Sequence, residues 1–208
     1  MPGYVIHLAE AELILDKMRK LRQTDDAFEQ AFLTGTLLPD TRLKGEKRFS
    51  HFWDPDKLEC LALGPDLARF TDKYGQRLNE PVMLGYLAHL HLDARYVTEY
   101  WPTVMAFYGC TGEPEYRKAH IAEVEIKRLQ KCVPVSQFFS IDYYYGDYTK
   151  LNGYFIHYFW YNRCIHVIGF RHCDLIYDIH SFCYFTKCCI STIKMWCIFM
   201  HDKELRSC

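Results

Sequence analysis

Hydrophobic and polar residues in the first 158 positions fall into blocks with helical period, separated by proline, glycine and aspartate. From Tyr4 to Leu21, Leu8, Ala11, Leu15 and Met18 form an apolar stripe, and Glu10, Glu12, Lys17 and Arg19 read as its charged surroundings. Thr24-Asp25-Asp26 supplies a cap and an acidic first turn for a second helix through Phe28, Ala31, Phe32 and Gly35. That helix is expected to stop at Leu38-Pro39, because proline disfavours helical geometry in the residue before it. Asp40 to Leu63 reads mostly as loop. Gly64-Pro65-Asp66 opens a short helix with proline at its first position, and Asn79-Glu80-Pro81 opens one that runs at least to Tyr100. Glu113-Pro114 is expected to start a charged helix to Lys131, packing through Ile121, Val124 and Leu129, and a last helix covers Asp142 to Phe155. No strand pattern stands out, so the expected class is all-α: a multi-helix bundle with an irregular C-terminal tail.

Composition divides the chain at about residue 158. The 208 residues suit one domain with a real core. Of ten cysteines, seven lie in the last 50 residues, where alanine and proline are absent and aromatics, isoleucine and histidine follow no period. There is no CxxC pair. Residues 1–158 therefore read as a helical metal-binding domain, and residues 159–208 as an anomalous tail resembling out-of-frame translation, with a cysteine-histidine metal site and a secreted scaffold as other accounts. The net charge of −1 gives no strong nucleic-acid signal. No apolar run reaches the roughly 18 residues of a membrane span, and the acidic N-terminus does not suit a signal peptide, so a cytoplasmic location is expected.

The stretch GYLAHLHLDARY, residues 85–96, carries the chemistry. His89 and Asp93 are four apart, one turn from each other on a helix, and offer the imidazole nitrogen and carboxylate oxygen that zinc accepts. His91 points nearly opposite. Three more candidates lie on other segments: His7 in the first helix, Asp40 after the proline at a helix exit, and His51 among Phe49, Phe52 and Trp53. Each has a plainer reading, respectively a core histidine, a turn aspartate and a packing histidine. Five ligands on four segments meet only if the fold brings them together, as a polynuclear bundle site requires.

The ordered series of His7, LTGTLLPD ending at Asp40, RFSHFW with His51, and GYLAHLHLD with His89 and Asp93 resembles the bacterial zinc-dependent phospholipase C family, in the superfamily that includes single-strand nucleases. The resemblance spans roughly residues 2–155. It implies an all-α fold holding one to three zinc ions that hydrolyses phosphate esters. By position it makes His7, His51 and His89 ligands and Asp93 a bridging or neighbouring ligand. Asp40 becomes the catalytic base or a further metal ligand. The chain departs from the secreted members by lacking a mature N-terminal tryptophan and an HxxxE pair; His120 and Glu123 are three apart and read as a surface pair. Asp147, in IDYYYGDYTKLN, is a weaker candidate for the site.

These residues suit hydrolysis because a divalent metal acidifies water to a pKa of about 7 and accepts phosphoryl charge. Phe49, Phe52, Trp53, Tyr96, Tyr100 and Trp101 are candidates for pocket walls. The expected activity is therefore a zinc-dependent phosphoesterase acting on a small or lipid-like phosphate ester. The alternatives are a metal-binding helical protein without turnover, such as a partner-binding module, and an HD-type phosphohydrolase. The latter needs an adjacent His-Asp dyad, found only at His201-Asp202.

Overall fold

A computed structural model describes residues 3–21, 24–43 and 45–140. The expected helix Asp142 to Phe155, Asp147, the tail from residue 159 and the His201-Asp202 dyad lie outside the described residues. The described part is mostly helical. Helices α1 (Tyr4–Leu21) and α2 (Asp26–Leu37) are followed by a 3-10 turn at Leu38–Thr41 and by α3, a single turn at Lys47–Ser50. Helix α4 (Leu67–Tyr74) precedes the central helix α5 (Pro81–Arg95), which continues through a wide π turn at Tyr96–Tyr100 into α6 (Trp101–Val104). Strands β1 (Met105–Gly109), β2 (Ile121–Ile126) and β3 (Lys131–Pro134) and the turn α7 (Val135–Phe138) complete it.

The helix boundaries follow local chemistry. Asp25 caps α2, its side chain accepting the Phe28 N–H at 2.7 Å. Asp66 does the same for α4 through Arg69 N–H at 3.0 Å, so α4 starts at Leu67 and Pro65 lies ahead of the cap rather than inside the helix. Helix α5 supplies Leu92 to one apolar cluster, Ala88 to a second and Met83 and Leu90 to a third. A helix packed on several sides needs apolar residues around most of its circumference, which leaves His89 and Asp93 as polar residues inside a core.

Helices α2 and α5 approach backbone to backbone at two glycines. A β-carbon at Gly35 would lie 1.9 Å from the Val82 carbonyl oxygen, and one at Gly85 would lie 2.0 Å from that of Phe32. This contact brings the end of α2 against the middle of α5.

Residues 105–134 correct the all-α expectation. They form a three-stranded antiparallel sheet in the order β1-β2-β3, where a helix from Glu113-Pro114 to Lys131 was expected. A β-bulge explains the error. Gly109 pairs with Ile121 and Tyr108 with Glu123, so β2 takes two steps where β1 takes one. The extra residue puts Ile121 and Val124 on the same buried side three positions apart, which imitates the i, i+3 spacing of a helix. Leu129 is exposed in the turn before β3. His120 lies 3.5 Å from Glu115 rather than pairing with Glu123. The buried side of the sheet, with Phe107, Val124, Ile126 and Val133, packs with Ile6, Leu92, Tyr96 and Trp101. It thus backs the α1 and α5 turns that carry His7 and Asp93.

Candidate metal centre

All five candidate residues meet at one place. His7 comes from the first turns of α1, Asp40 from the 3-10 turn after α2, His51 from the end of α3, and His89 and Asp93 from α5. His7, His51, His89 and Asp93 are 0% exposed, and Asp40 alone reaches the edge, its side chain 9% exposed.

His89 is oriented by the end of α2. The last carbonyls of a helix have no partner within it, and that of Thr36 lies 2.8 Å from His89 Nδ1. A carbonyl only accepts, so Nδ1–H donates to it and Nε2 is the ring nitrogen left facing inward. His51 is set the same way. Its Nδ1 lies 3.0 Å from the Lys47 carbonyl and 3.1 Å from Ser50 Oγ, leaving Nε2 toward the centre. Ser50 Oγ also donates to the Pro39 carbonyl at 2.7 Å, tying α3 to the turn that holds Asp40.

His51 reaches this position through an unusual helix end. Phe52 has φ 53°, a left-handed conformation that favours glycine. The Trp53 N–H donates to Arg48 O at 3.0 Å across the turn. His51 is thereby aimed at the site while the Phe52 ring enters the cluster of Phe70 and Leu90. This burial offsets a backbone conformation that costs on the order of 1–3 kcal/mol.

The inward-facing atoms form a near-equilateral triangle. His51 Nε2 and His89 Nε2 are 3.3 Å apart, and they lie 3.5 Å and 3.4 Å from Asp93 Oδ2. One cation among these three atoms would bind both imidazole nitrogens and the carboxylate oxygen at once, which a single shared proton does not. Zinc bonds of about 2.0–2.1 Å to such ligands give tetrahedral edges of about 3.3–3.4 Å. The donor set and its spacing therefore fit a metal ion. Asp40 Oδ1 lies 3.4 Å from His51 Nε2, and Asp40, His51 and His89 form one ligand triad within 4.8 Å. His7, His89 and Asp93 form another. His7 Nε2 is 3.4 Å from Asp93 Oδ1, and its ring stacks on His89 with centroids 3.6 Å apart. Asp93 thus turns Oδ1 toward His7 and Oδ2 toward His51 and His89.

Burial lowers the His7 pKa to about 4, reinforced by the neighbouring His89. Burial opposes ionisation of Asp93, but contacts with His7 and His89 outweigh it and hold the carboxyl below its ordinary range. Burial likewise raises Asp40, yet His51 and Lys47 overcome it and keep Asp40 ionised. Lys47 Nζ is 2.6 Å from Asp40 Oδ1 and a third exposed at the rim. Tyr4 Oη donates to the Asp40 backbone carbonyl at 2.8 Å and joins this turn to α1.

Several participants are not apparent from the sequence alone. Lys47, Ser50 and the Thr36 carbonyl act through contacts between segments. Glu10, expected on a charged surface, is instead 1% exposed, with neither carboxylate oxygen hydrogen-bonded. Its signal was its place between Ile6 and Ile14 in an i, i+4 row, both of them buried. Burial raises its pKa well above the ordinary carboxylate range, and the charge of Asp93 adds to this. His91, as its spacing implies, stands apart from both triads. The aromatics expected to wall a pocket are mostly core: Phe52, Tyr96, Tyr100 and Trp101 are buried and Phe49 is exposed. Trp53 has its ring 5.5 Å from that of His51.

Among the described residues no helix is long and apolar enough to cross a membrane. Comparison of the chain with protein-family models, with curated proteins and with solved structures finds no match.

Proposed function

We propose that the protein is a metal-dependent phosphoesterase with zinc as its resident ion. The observation that carries this reading is the triangle of His51 Nε2, His89 Nε2 and Asp93 Oδ2, whose sides of 3.3–3.5 Å suit a four-coordinate ion. The ordered series from His7 to Asp93, resembling the zinc-dependent phospholipases C, supports the reaction class. The zinc would be held by His51, His89, Asp93 and, at the rim, Asp40. When bound, it supplies an acidified water with a pKa of about 7 and neutralisation of phosphoryl charge.

The chain's own groups do the rest. Thr36 O and Lys47 O hold the two imidazoles in one tautomer, so no reorientation is needed on loading. Asp93, fully buried, excludes water from the far side. Lys47 pairs with one Asp40 oxygen, and the other is the acceptor for the proton of an attacking water. Because Asp40 is held ionised, it is a weak base and acts mainly by orienting that water. Lys47, at the exposed rim, offers its ammonium to a phosphoryl oxygen of a small or lipid-like ester.

A second reading is a metal-stabilised protein without turnover, favoured by the complete burial of four of the five ligands. Closed four-ligand sites are usually structural. Assay of the metal-loaded full chain on bis(p-nitrophenyl) phosphate and p-nitrophenyl phosphate separates the two. Zinc-dependent turnover that drops at least about a hundredfold in Asp40→Asn supports the esterase; stoichiometric metal with no turnover on either compound supports the structural role.

A further inference from the structure

The rim around Asp40 carries an outer surface that the metal centre itself does not use. Seven large apolar side chains are exposed among the described residues, and four of them, Tyr4, Leu38, Leu43 and Phe49, belong to the segments that frame this rim. Hydrogen bonds tie those segments together. Tyr4 Oη donates to Asp40 O at 2.8 Å, Ser50 Oγ to Pro39 O at 2.7 Å, and the Glu46 N–H to Leu43 O at 2.8 Å. The turn at Leu43 projects outward: Leu43 is 76% exposed, and a β-carbon at Gly45 would meet nothing within 4 Å. Single exposed apolar residues are ordinary, but a group of them around one rim marks an interaction surface.

Charge identifies the partner. Residues 41–49 read TRLKGEKRF, four basic residues and one acidic, in a chain whose net charge is −1. Arg42 and Arg48 are exposed, and the Arg48 guanidinium lies 4.6 Å from the centre of the Phe49 ring. Apolar side chains interleaved with cations suit an anionic bilayer, where the apolar groups enter the boundary between headgroups and acyl chains and the basic groups stay at the phosphates. Nucleic acid would use the cations but offers Leu43 nothing to enter. We propose that this rim is a docking surface for an anionic lipid bilayer, with Leu43 and Phe49 as the inserted groups and Arg42 and Arg48 as the cations that hold lipid phosphate. Docking needs only this surface, so the inference stands apart from the phosphoesterase reading.

The test is co-sedimentation of the full chain with extruded vesicles, either phosphatidylcholine alone or phosphatidylcholine with phosphatidylserine, at low and high salt. The expected result is binding to the mixed vesicles that salt weakens, with at least about tenfold less on the neutral ones. Arg42→Gln combined with Arg48→Gln should weaken binding at least about tenfold, and Leu43→Ser combined with Phe49→Ser by about the same factor. All four side chains are exposed, so the melting temperatures of these variants should match the wild type. Insertion is read from Leu43→Trp, whose added emission should shift to the blue on mixed vesicles and be quenched by brominated lipid. Binding that survives both double substitutions would overturn the proposal. So would adsorption that leaves the Leu43→Trp emission unmoved, the behaviour of a surface that holds any polyanion, nucleic acid included, by charge alone. A chain that hydrolyses bis(p-nitrophenyl) phosphate yet binds no vesicle removes the docking surface and leaves the phosphoesterase standing; vesicle binding without turnover does the reverse.

Discussion

The Nδ1 of His89 lies 2.8 Å from the carbonyl oxygen of Thr36, a residue on another helix and 53 positions earlier in the chain. The bond exists because Gly35 and Gly85 let α2 and α5 touch through their backbones. Helix contact and ligand tautomer are therefore one structural fact, with consequences that can be measured.

Gly85→Ala drives a methyl into the Phe32 carbonyl, which is backbone and cannot swing aside. Overpacking of this kind costs about 1–3 kcal/mol or more. Because the helices must separate, the Thr36–His89 bond loosens as well. The variant should show a lower denaturation midpoint and zinc affinity reduced at least about tenfold, as for loss of an outer-shell partner. Isothermal titration calorimetry and urea melts measure the two effects, and unchanged zinc affinity would separate the glycine contact from the site.

Stability of the metal-free protein should depend on pH through His7. Its folded pKa of about 4 lies below the ordinary value of 6.5, so between these limits the unfolded chain binds more protons. Stability from this group is present above pH 6.5 and is lost as pH falls toward 4, a change on the order of 3 kcal/mol if the shift is fully expressed. Urea midpoints across that interval test it, and His7→Phe should flatten the slope. A slope unaffected by that substitution would assign the dependence elsewhere.

Lys47→Met removes the cation from the rim and one of the two contacts that hold Asp40 ionised. The Asp40 pKa should rise toward its ordinary value. A depressed carboxyl contributes stability above its unfolded pKa and loses it as pH falls through the folded one, so acid unfolding of the variant should begin at higher pH. On the phosphoesterase reading KM for an anionic ester also rises while metal content stays constant. A circular-dichroism acid titration with metal analysis separates this from loss of the site.

Zinc should raise the melting temperature of the chelator-treated chain, because binding to the folded form alone stabilises by about 2.7 kcal/mol at a hundred times Kd. Scanning calorimetry with and without chelator measures it, and His89→Ala is expected to abolish the rise. Asp25→Ala, distant from the ligands, should cost about 1 kcal/mol through loss of the α2 cap without altering the zinc response.

Local signals determined much of this protein without reference to the fold. Tyr4–Leu21 was bounded by its period, Thr24-Asp25-Asp26 and Gly64-Pro65-Asp66 marked helix starts to within a residue or two, and the four-residue spacing of His89 and Asp93 put them on one face. Such features depend on neighbours within a turn or two, which the chain carries in its order. The tertiary structure decided what depends on distant segments. It placed His7, Asp40 and His51 around α5, buried Glu10 where the helix pattern had exposed it, and turned Ile121–Ile126 and Lys131–Pro134 into strands. In that last case a bulge gave β2 a helix-like spacing, and only the partner strand β1 resolves the ambiguity, because hydrogen-bond register is a property of the pair. The tautomers of His51 and His89 were decided in the same way, by carbonyls that the packing of the chain brought against their rings.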